Sequence, residues 1–243
     1  MKTNINNLNH KSFAVDEFFN NALFDKKKGY YSTKNPFGKK GDFVTAPNIS
    51  DIFSEIIGIW IISTWEKLGK PKKINLVELG PGDGSMAKIL VRTFKRFPKF
   101  YSSAYFFLYE KSDLLIKIQK KKIKIESNKV FWIKDFKKIK NGPVIFFGNE
   151  FFDAIPIKQF QVQKGHYLEK FFRKSKYEIK EFYKKAKNSD EKKLRSFNSL
   201  KGLNFIEYPE LGFQELDKII KKILLLSGGI LLIDYGYLQS QNL

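Results

Sequence analysis

Cysteine is absent from the 243 residues, so no disulfide cross-links the chain and no thiolate can bind a metal. Histidine is nearly absent: His10 and His166 stand far apart, and a zinc site would need unusual ligands. No metal centre is therefore expected. Arginine is scarce, with Arg92, Arg96, Arg173 and Arg195 the only four among 45 basic residues. No apolar run is long enough to span a bilayer. The N-terminus, "MKTNINNLNHKSF", has neither an apolar signal core nor an arginine-rich amphipathic pattern. These absences lead to the expectation of a cytoplasmic protein without membrane insertion.

Hydrophobic content of 42%, with 16% aromatics, is that of a globular protein, and the length suits one α/β domain or one domain with an insertion. The net charge of +20 invites a nucleic-acid reading, because a basic surface releases counterions from phosphates. A chain that reads phosphates and bases would use more forked guanidiniums than four. The charge is better read as lysine spread over solvated faces, as in "KKIK" and "YKKAK", and no specific nucleic-acid partner is expected.

Along the chain, Phe13, Val15, Phe18, Phe19, Leu23 and Phe24 recur at helical spacing before "DKKKGYY" breaks the pattern. A loop-like "NPFGKKGDFVTAPNIS" follows, then the helix "SDIFSEIIGIWIISTWEKLG" with Ser50 or Asp51 as cap. After that come short apolar runs without alternation: "INLVEL", "AYFFLYE", "KVFWI", "PVIFFGN" and "GILLIDYG". Such runs suit strands covered on both faces, and the helical segments between them predict a doubly wound, mostly parallel Rossmann-like sheet. The alternation breaks at about 157–210, where "KQFQVQKGHYLEKFFRK" reads as an inserted antiparallel hairpin turning at Lys164 and Gly165, and "KKAKNSDEKK" as a mobile loop. The expected organisation is an N-terminal helical and lid extension over 1–70 and a cofactor-binding domain over 71–243.

"NLVELGPGDGSM" places Glu78, Gly80, Gly82 and Gly84 at a strand-to-helix turn. Glycines there let the backbone turn tightly and a ligand approach closely, beside the free N–H groups of a helix N-terminus. The dinucleotide fingerprint would need glycine at Ser85, which disfavours a nicotinamide enzyme. The spacing resembles the first motif of S-adenosylmethionine-dependent methyltransferases. In that motif the glycines lie beneath the methionine part of the cofactor. Glu110, ending the next strand, would then accept from the ribose hydroxyls.

Five segments together, "GYYSTKNPFGKKGDFVTAP", "ELGPGDGSMA", "YEKSDLLIKIQ", "GNEFFDAIPIKQF" and "LLIDYGY", resemble the MidA-type family. These are S-adenosylmethionine-dependent protein arginine methyltransferases related to a mitochondrial assembly factor of respiratory complex I. The resemblance implies a methyltransferase Rossmann-like fold and S-adenosylmethionine as cofactor. It also implies methyl transfer to an arginine of a protein client in the class of the complex I subunit that carries the quinone-site region. It carries over Gly80, Gly82, Gly84 and Glu110 for cofactor, the loop words around Asp42 and Thr45, and Asn149, Glu150 and Asp153. Asp83 departs from it, standing where the family often has a basic or small residue. Family members continue past "DYGY", so the sheet is expected to lack its last strands.

A guanidinium is a poor nucleophile, and carboxylates can fix it in bidentate geometry and take its proton. Glu150 and Asp153, with Asn149, end the fourth strand at the sheet edge where such folds bind ligands. Each has a plainer use: Asp153 as a cap, Glu150 as the partner of a lysine. "GDFVTAP" is either a lid carrying Asp42 and Thr45 towards the site, with Tyr30 or Tyr31 lining the arginine channel, or a surface loop anchored by Phe43 and Pro47. Asp234 is either a support for the site or a turn former. Three other classes stay open: an RNA methyltransferase using the positive charge, a non-enzymatic assembly module and, least, an oxidoreductase. A homodimer is a further possibility.

Overall fold

The computed structural model describes residues 12–38, 41–124, 129–174 and 178–236. In chain order the elements are β1 (Ser12–Ala14), α1 (Val15–Phe24), α2 (Tyr30–Thr33), α3 (Ala46–Ile49), α4 (Asp51–Lys67), β2 (Ile74–Leu79), α5 (Ser85–Lys95) and α6 (Pro98–Ser103). There follow β3 (Ala104–Tyr109), α7 (Asp113–Ile123), β4 (Val130–Ile133), β5 (Val144–Asn149), β6 (Lys158–Gln163), β7 (His166–Lys174) and β8 (Ile179–Lys185). The last are α8 (Asn188–Ser196), β9 (Phe205–Tyr208), α9 (Glu210–Leu226) and β10 (Gly228–Ile233). The chain divides into two compact units, one of residues 24–154 and 215–243, the other of residues 1–23 and 155–214. Of the described residues, 12–23 group with the insertion.

The larger unit is built on a five-stranded parallel sheet in the order β10-β5-β2-β3-β4. Every residue of β2 is buried, the polar Asn75 and Glu78 included, as expected of a central strand covered on both faces. One face of the sheet packs Leu76, Phe106 and Phe147 with Ile57, Ile61 and Trp65 of α4 and Leu90 and Phe94 of α5. The other packs Val77, Phe107 and Phe146 with Phe136 and Ile219 of α9. Helices on both faces make the doubly wound architecture expected from the alternation. Among the described residues β10 lies at one edge of this sheet.

Ser50 caps α4 by accepting from the Ile52 N–H at 3.2 Å, and Arg92 of α5 reaches back to Asp51 at 2.8 Å and Glu55 at 3.2 Å. The side of α4 away from the sheet is apolar too. Ile52, Ile56, Ile59 and Trp60, with Ile49 of α3, are all exposed.

The smaller unit holds an antiparallel sheet, β1-β7-β6-β9, with β8 also on β7. β6 and β7 form the expected hairpin, and Lys164 (φ 49°) and Gly165 (φ 77°) both take the left-handed conformation that a two-residue hairpin turn needs. "KKAKNSDEKK" is not a loop. Its first lysines end β8, Ala186 is buried, and Asn188 opens α8. The reason is Lys158, whose ammonium lies 2.9 Å from Glu169, 3.6 Å from Asp190, 3.9 Å from Glu210 and 4.0 Å from Asp16. Asp190 is drawn inward to that cation, and the charged stretch folds around it.

Candidate active site

All the predicted site residues lie in the larger unit. At the carboxyl end of β2 the chain passes through Glu78 into a turn in which Gly80 (φ 60°), Gly82 (φ 54°) and Gly84 (φ 82°) are all left-handed. Three such residues within five positions can be held cheaply only by glycine. A Cβ on Gly80 would sit 2.9 Å from the Phe151 ring, and one on Gly84 would sit 3.2 Å from Gln119. Gly84 is also the N-cap of α5, whose first N–H groups open onto the turn.

Glu78 is fully buried, and neither carboxylate oxygen has a hydrogen-bond partner among the described residues. Burial, reinforced by the charges of Asp83 and Glu110, pushes its pKa up to about 8. A buried acid with two idle oxygens is costly unless something cationic meets it. The amino group of S-adenosylmethionine is such a partner, so the turn fits that cofactor.

Glu110, just beyond β3, is buried. Its Oε1 accepts from the Ser112 N–H at 2.8 Å and its Oε2 from Gln119 Nε2 at 3.1 Å. Burial raises its pKa, and those two donors, with Lys111, oppose the rise. Asp83 is nearly buried, yet hydrogen bonds from Lys122 and Ser85 outweigh desolvation and hold its carboxyl below the usual range. The unexpected acid thus comes with its own cation.

β5 ends beside β2 in Asn149 and Glu150. Glu150 has φ 53°, a left-handed conformation that a non-glycine residue adopts at a cost of roughly 1–2 kcal/mol. It is held there by its N–H donating to the Ile233 carbonyl at 2.8 Å and by Asn149 Nδ2 donating to its Oε1 at 2.8 Å. Among the described residues no lysine pairs with Glu150. Asp153 lies in a turn and accepts a backbone hydrogen bond from Ala154, as a turn cap does, and it also accepts from the Tyr235 hydroxyl at 3.0 Å. Loss of hydration raises the Asp153 pKa, with the charges of Asp234 and Glu150 adding and the Tyr235 hydrogen bond opposing. Asp234 is exposed, and its carboxylate accepts from the Tyr235 N–H at 3.0 Å.

From the N-terminal side, Tyr31 stacks between Phe24 and Phe37, and its carbonyl accepts from Ser112 Oγ at 2.6 Å. Burial raises its hydroxyl pKa, and the charges of Asp153 and Glu110 add to the effect. Tyr31 is therefore electrostatically coupled to both. The Phe37 ring lies 3.6 Å from where a Cβ on Gly82 would be, and Asn48 Nδ2 donates to Ser85 Oγ at 2.9 Å. The segment thus packs on the glycine turn. Asp42, however, is exposed and bound by Lys34 and Tyr30, whose hydroxyl pKa is pushed up to about 12 by desolvation and by Asp42. Thr45 precedes α3 without a side-chain cap bond. Among the described residues no hydrogen bond joins Asp42 or Thr45 to Glu110, Glu150 or Asp153.

A parallel sheet that gathers a glycine turn and several carboxylates at the carboxyl ends of its strands defines the class of α/β proteins that bind a nucleoside cofactor over that edge. Within it, this chain belongs to the family described as "Putative S-adenosyl-L-methionine-dependent methyltransferase", matched over residues 56–243. It is similar to the mitochondrial protein arginine methyltransferase NDUFAF7 of Xenopus laevis, 36% identical over 178 residues that cover 64% of this chain and 41% of the relative. The human protein of the same name is 34% identical over 170 residues, covering 61% and 38%. The chain thus spans less than half the length of these curated relatives. A solved protein from Burkholderia thailandensis, bound to S-adenosyl-homocysteine, has the same fold, with a TM-score of 0.75 at 19% identity over 93% of this chain and 59% of that one.

The expected cytoplasmic location is overturned, because these relatives are mitochondrial proteins. That expectation rested on the lack of a leader pattern, which carries no information about compartment. Among the described residues no helix is long and apolar enough to cross a membrane.

Proposed function

We propose that the chain binds S-adenosylmethionine over the β2–α5 turn and transfers its methyl group to an arginine side chain of a protein. The buried, unpartnered Glu78 at the glycine turn carries the cofactor reading. Gly80, Gly82 and Gly84 leave room for the methionine part, and Glu110 takes the ribose. When bound, the cofactor supplies an electrophilic methyl. Glu150 and Asp153 hold the guanidinium in place, and Glu150 accepts its proton. Asn149 fixes the Glu150 carboxylate, as its 2.8 Å bond supports. The local sign favours this: Glu110, Glu150 and Asp153 gather acidic groups in a chain of net +20, suiting a sulfonium and a guanidinium. Tyr30, Tyr31, Asp42 and Thr45 belong to the segment that covers the cofactor and lines the arginine channel. By resemblance, the client is the complex I subunit class named above.

One calorimetric titration with S-adenosylhomocysteine, read also by hydrogen exchange, tests the cofactor site and the lid. Wild type should bind, with exchange slowed over residues 41–50. Gly82→Val should lose at least about 100-fold in affinity, because a branched side chain must take a left-handed backbone against Phe37. Equal affinity in a folded variant would remove the turn from the site, and unchanged exchange would reduce the lid to a surface loop. Transfer of labelled methyl from S-adenosylmethionine to arginine in a mitochondrial lysate tests the reaction itself. Label on RNA or on another residue type would overturn the substrate class.

We also infer a homodimer through α4. On α4 the exposed Ile52, Ile56 and Ile59 are spaced four and three apart, the spacing of a helix-pairing seam. On a chain otherwise repelled from its own copies by a charge of +20, this uncharged strip is where two copies can meet about a twofold axis. Light scattering should give twice the chain mass, falling to the monomer in Ile56→Lys. A wild-type monomer at about 100 µM would sink the idea, that being far above the Kd of a stable pair.

A further inference from the structure

Gln119 of α7 is completely buried, although glutamine is a residue that usually faces water. Its Nε2 donates to the Gly82 carbonyl at 2.8 Å and to Glu110 Oε2 at 3.1 Å, while its Oε1 accepts from Trp132 Nε1 at 2.9 Å. Both amide protons and the carbonyl are thus used. Turning the amide over would set its oxygen against two acceptors and its NH2 against an indole donor, so the network allows one orientation only. The side chain also lies against Gly84, where a Cβ would come within 3.2 Å of Gln119 Cγ. One buried residue therefore touches the glycine turn after β2, the carboxylate after β3 and, through Trp132, strand β4.

We propose that Gln119 is a positioning residue that locks the glycine turn to Glu110, so that the methionine and ribose ends of the cofactor meet a frame of fixed span. The inference rests on the cofactor reading above. Its logic is geometric: the turn and Glu110 come from different strands, and the last backbone hydrogen bond between those strands, from the Gly80 N–H to the Tyr109 carbonyl at 3.1 Å, stops short of Gly82, Gly84 and the Glu110 carboxylate. Beyond that point the Gln119 amide supplies a direct hydrogen-bonded bridge between them. The same bond supports the ionised form of Glu110, which ribose recognition requires. Lys111 beside Glu110, Glu78 from β2 and Tyr31 from α2 also act on that carboxylate, and all three remain in a Gln119 variant.

Gln119→Met keeps the volume and the unbranched shape but none of the hydrogen bonds. Calorimetry should show S-adenosylhomocysteine binding about 10- to 100-fold more weakly, the effect of leaving a buried charged acceptor short of a donor. As pH is lowered, binding should fail at a higher pH than in wild type, because Glu110 loses a bond that favours its ionised form. Glu78 titrates in both proteins, so the difference between the two profiles reads Glu110. A purely structural Gln119 would lower the melting temperature and leave both affinity and pH profile where they were, and that result overturns the proposal. If Gln119→Met does not fold, Gln119→Asn, which keeps an amide one methylene short, should weaken binding in the same direction, and wild-type affinity there overturns it equally. Failure of wild type to bind S-adenosylhomocysteine would instead overturn the cofactor reading, so the two failures are distinct.

Discussion

Replacing Glu150 by glutamine is expected to lower methyl transfer by about 10²- to 10⁴-fold, the range for loss of a positioned proton acceptor, while S-adenosylhomocysteine affinity stays within about twofold. Glutamine keeps the length and the hydrogen-bonding reach but cannot take a proton or balance a guanidinium charge. A second variant separates chemistry from folding. Glu150 holds a left-handed backbone at φ 53°, so Glu150→Gly relieves strain and should unfold no more easily than wild type, while equally inactive. Labelled transfer with thermal melts on both variants is the measurement. Full activity in Glu150→Gln would reduce the residue to a turn former, and a large loss of cofactor binding would move it to the cofactor site.

The second large effect is expected at Glu78. Its carboxyl is buried without partners and titrates near pH 8 in the folded chain against an ordinary 4.5, so the folded state binds the proton more tightly than the unfolded one. The stabilisation this gives is complete below about 4.5 and is lost as pH rises through 8. The cofactor-free wild type should therefore lose stability over that window. Glu78→Gln, which carries no charge to desolvate, should melt higher than wild type at pH 8 to 9. The same change should weaken S-adenosylhomocysteine binding by about 10- to 100-fold, because the ammonium loses a charged acceptor. Stability gained while binding is lost marks a residue placed for its ligand. Unaltered affinity in Glu78→Gln would detach the residue from the cofactor and leave its burial without an explanation.

The sheet was readable in the chain because its strands are covered on both faces. "INLVEL" and "PVIFFGN" are mostly apolar without alternation, as suits strands whose two sides are both shielded from water, and both are central strands. The glycine turn was readable because three left-handed positions leave no other residue type. What was hidden depends on partners distant in sequence. "NSDEKK" looks solvated until Lys158, some thirty residues earlier, gives Asp190 a cation to face. Gln119, inside a lysine-rich helix, shows nothing that separates it from its exposed neighbours until Gly82, Glu110 and Trp132 surround it. Tyr235 and Phe37, one bonded to Asp153 and one over Gly82, were likewise invisible as neighbours of the site. The left-handed backbone at Glu150 could not be foreseen, since glutamate is not a residue that favours it.

On the function proposed above, Arg92, held by Asp51 and Glu55, is a potential target that the chain carries itself. Arg195 is likewise engaged by Glu191 and the Gly165 carbonyl, and Arg173 lies over the Phe182 ring. With lysine supplying nearly all the positive charge, the chain offers the proposed arginine-directed site little competition of its own. On that proposal, the lysine bias doubles as protection against self-modification.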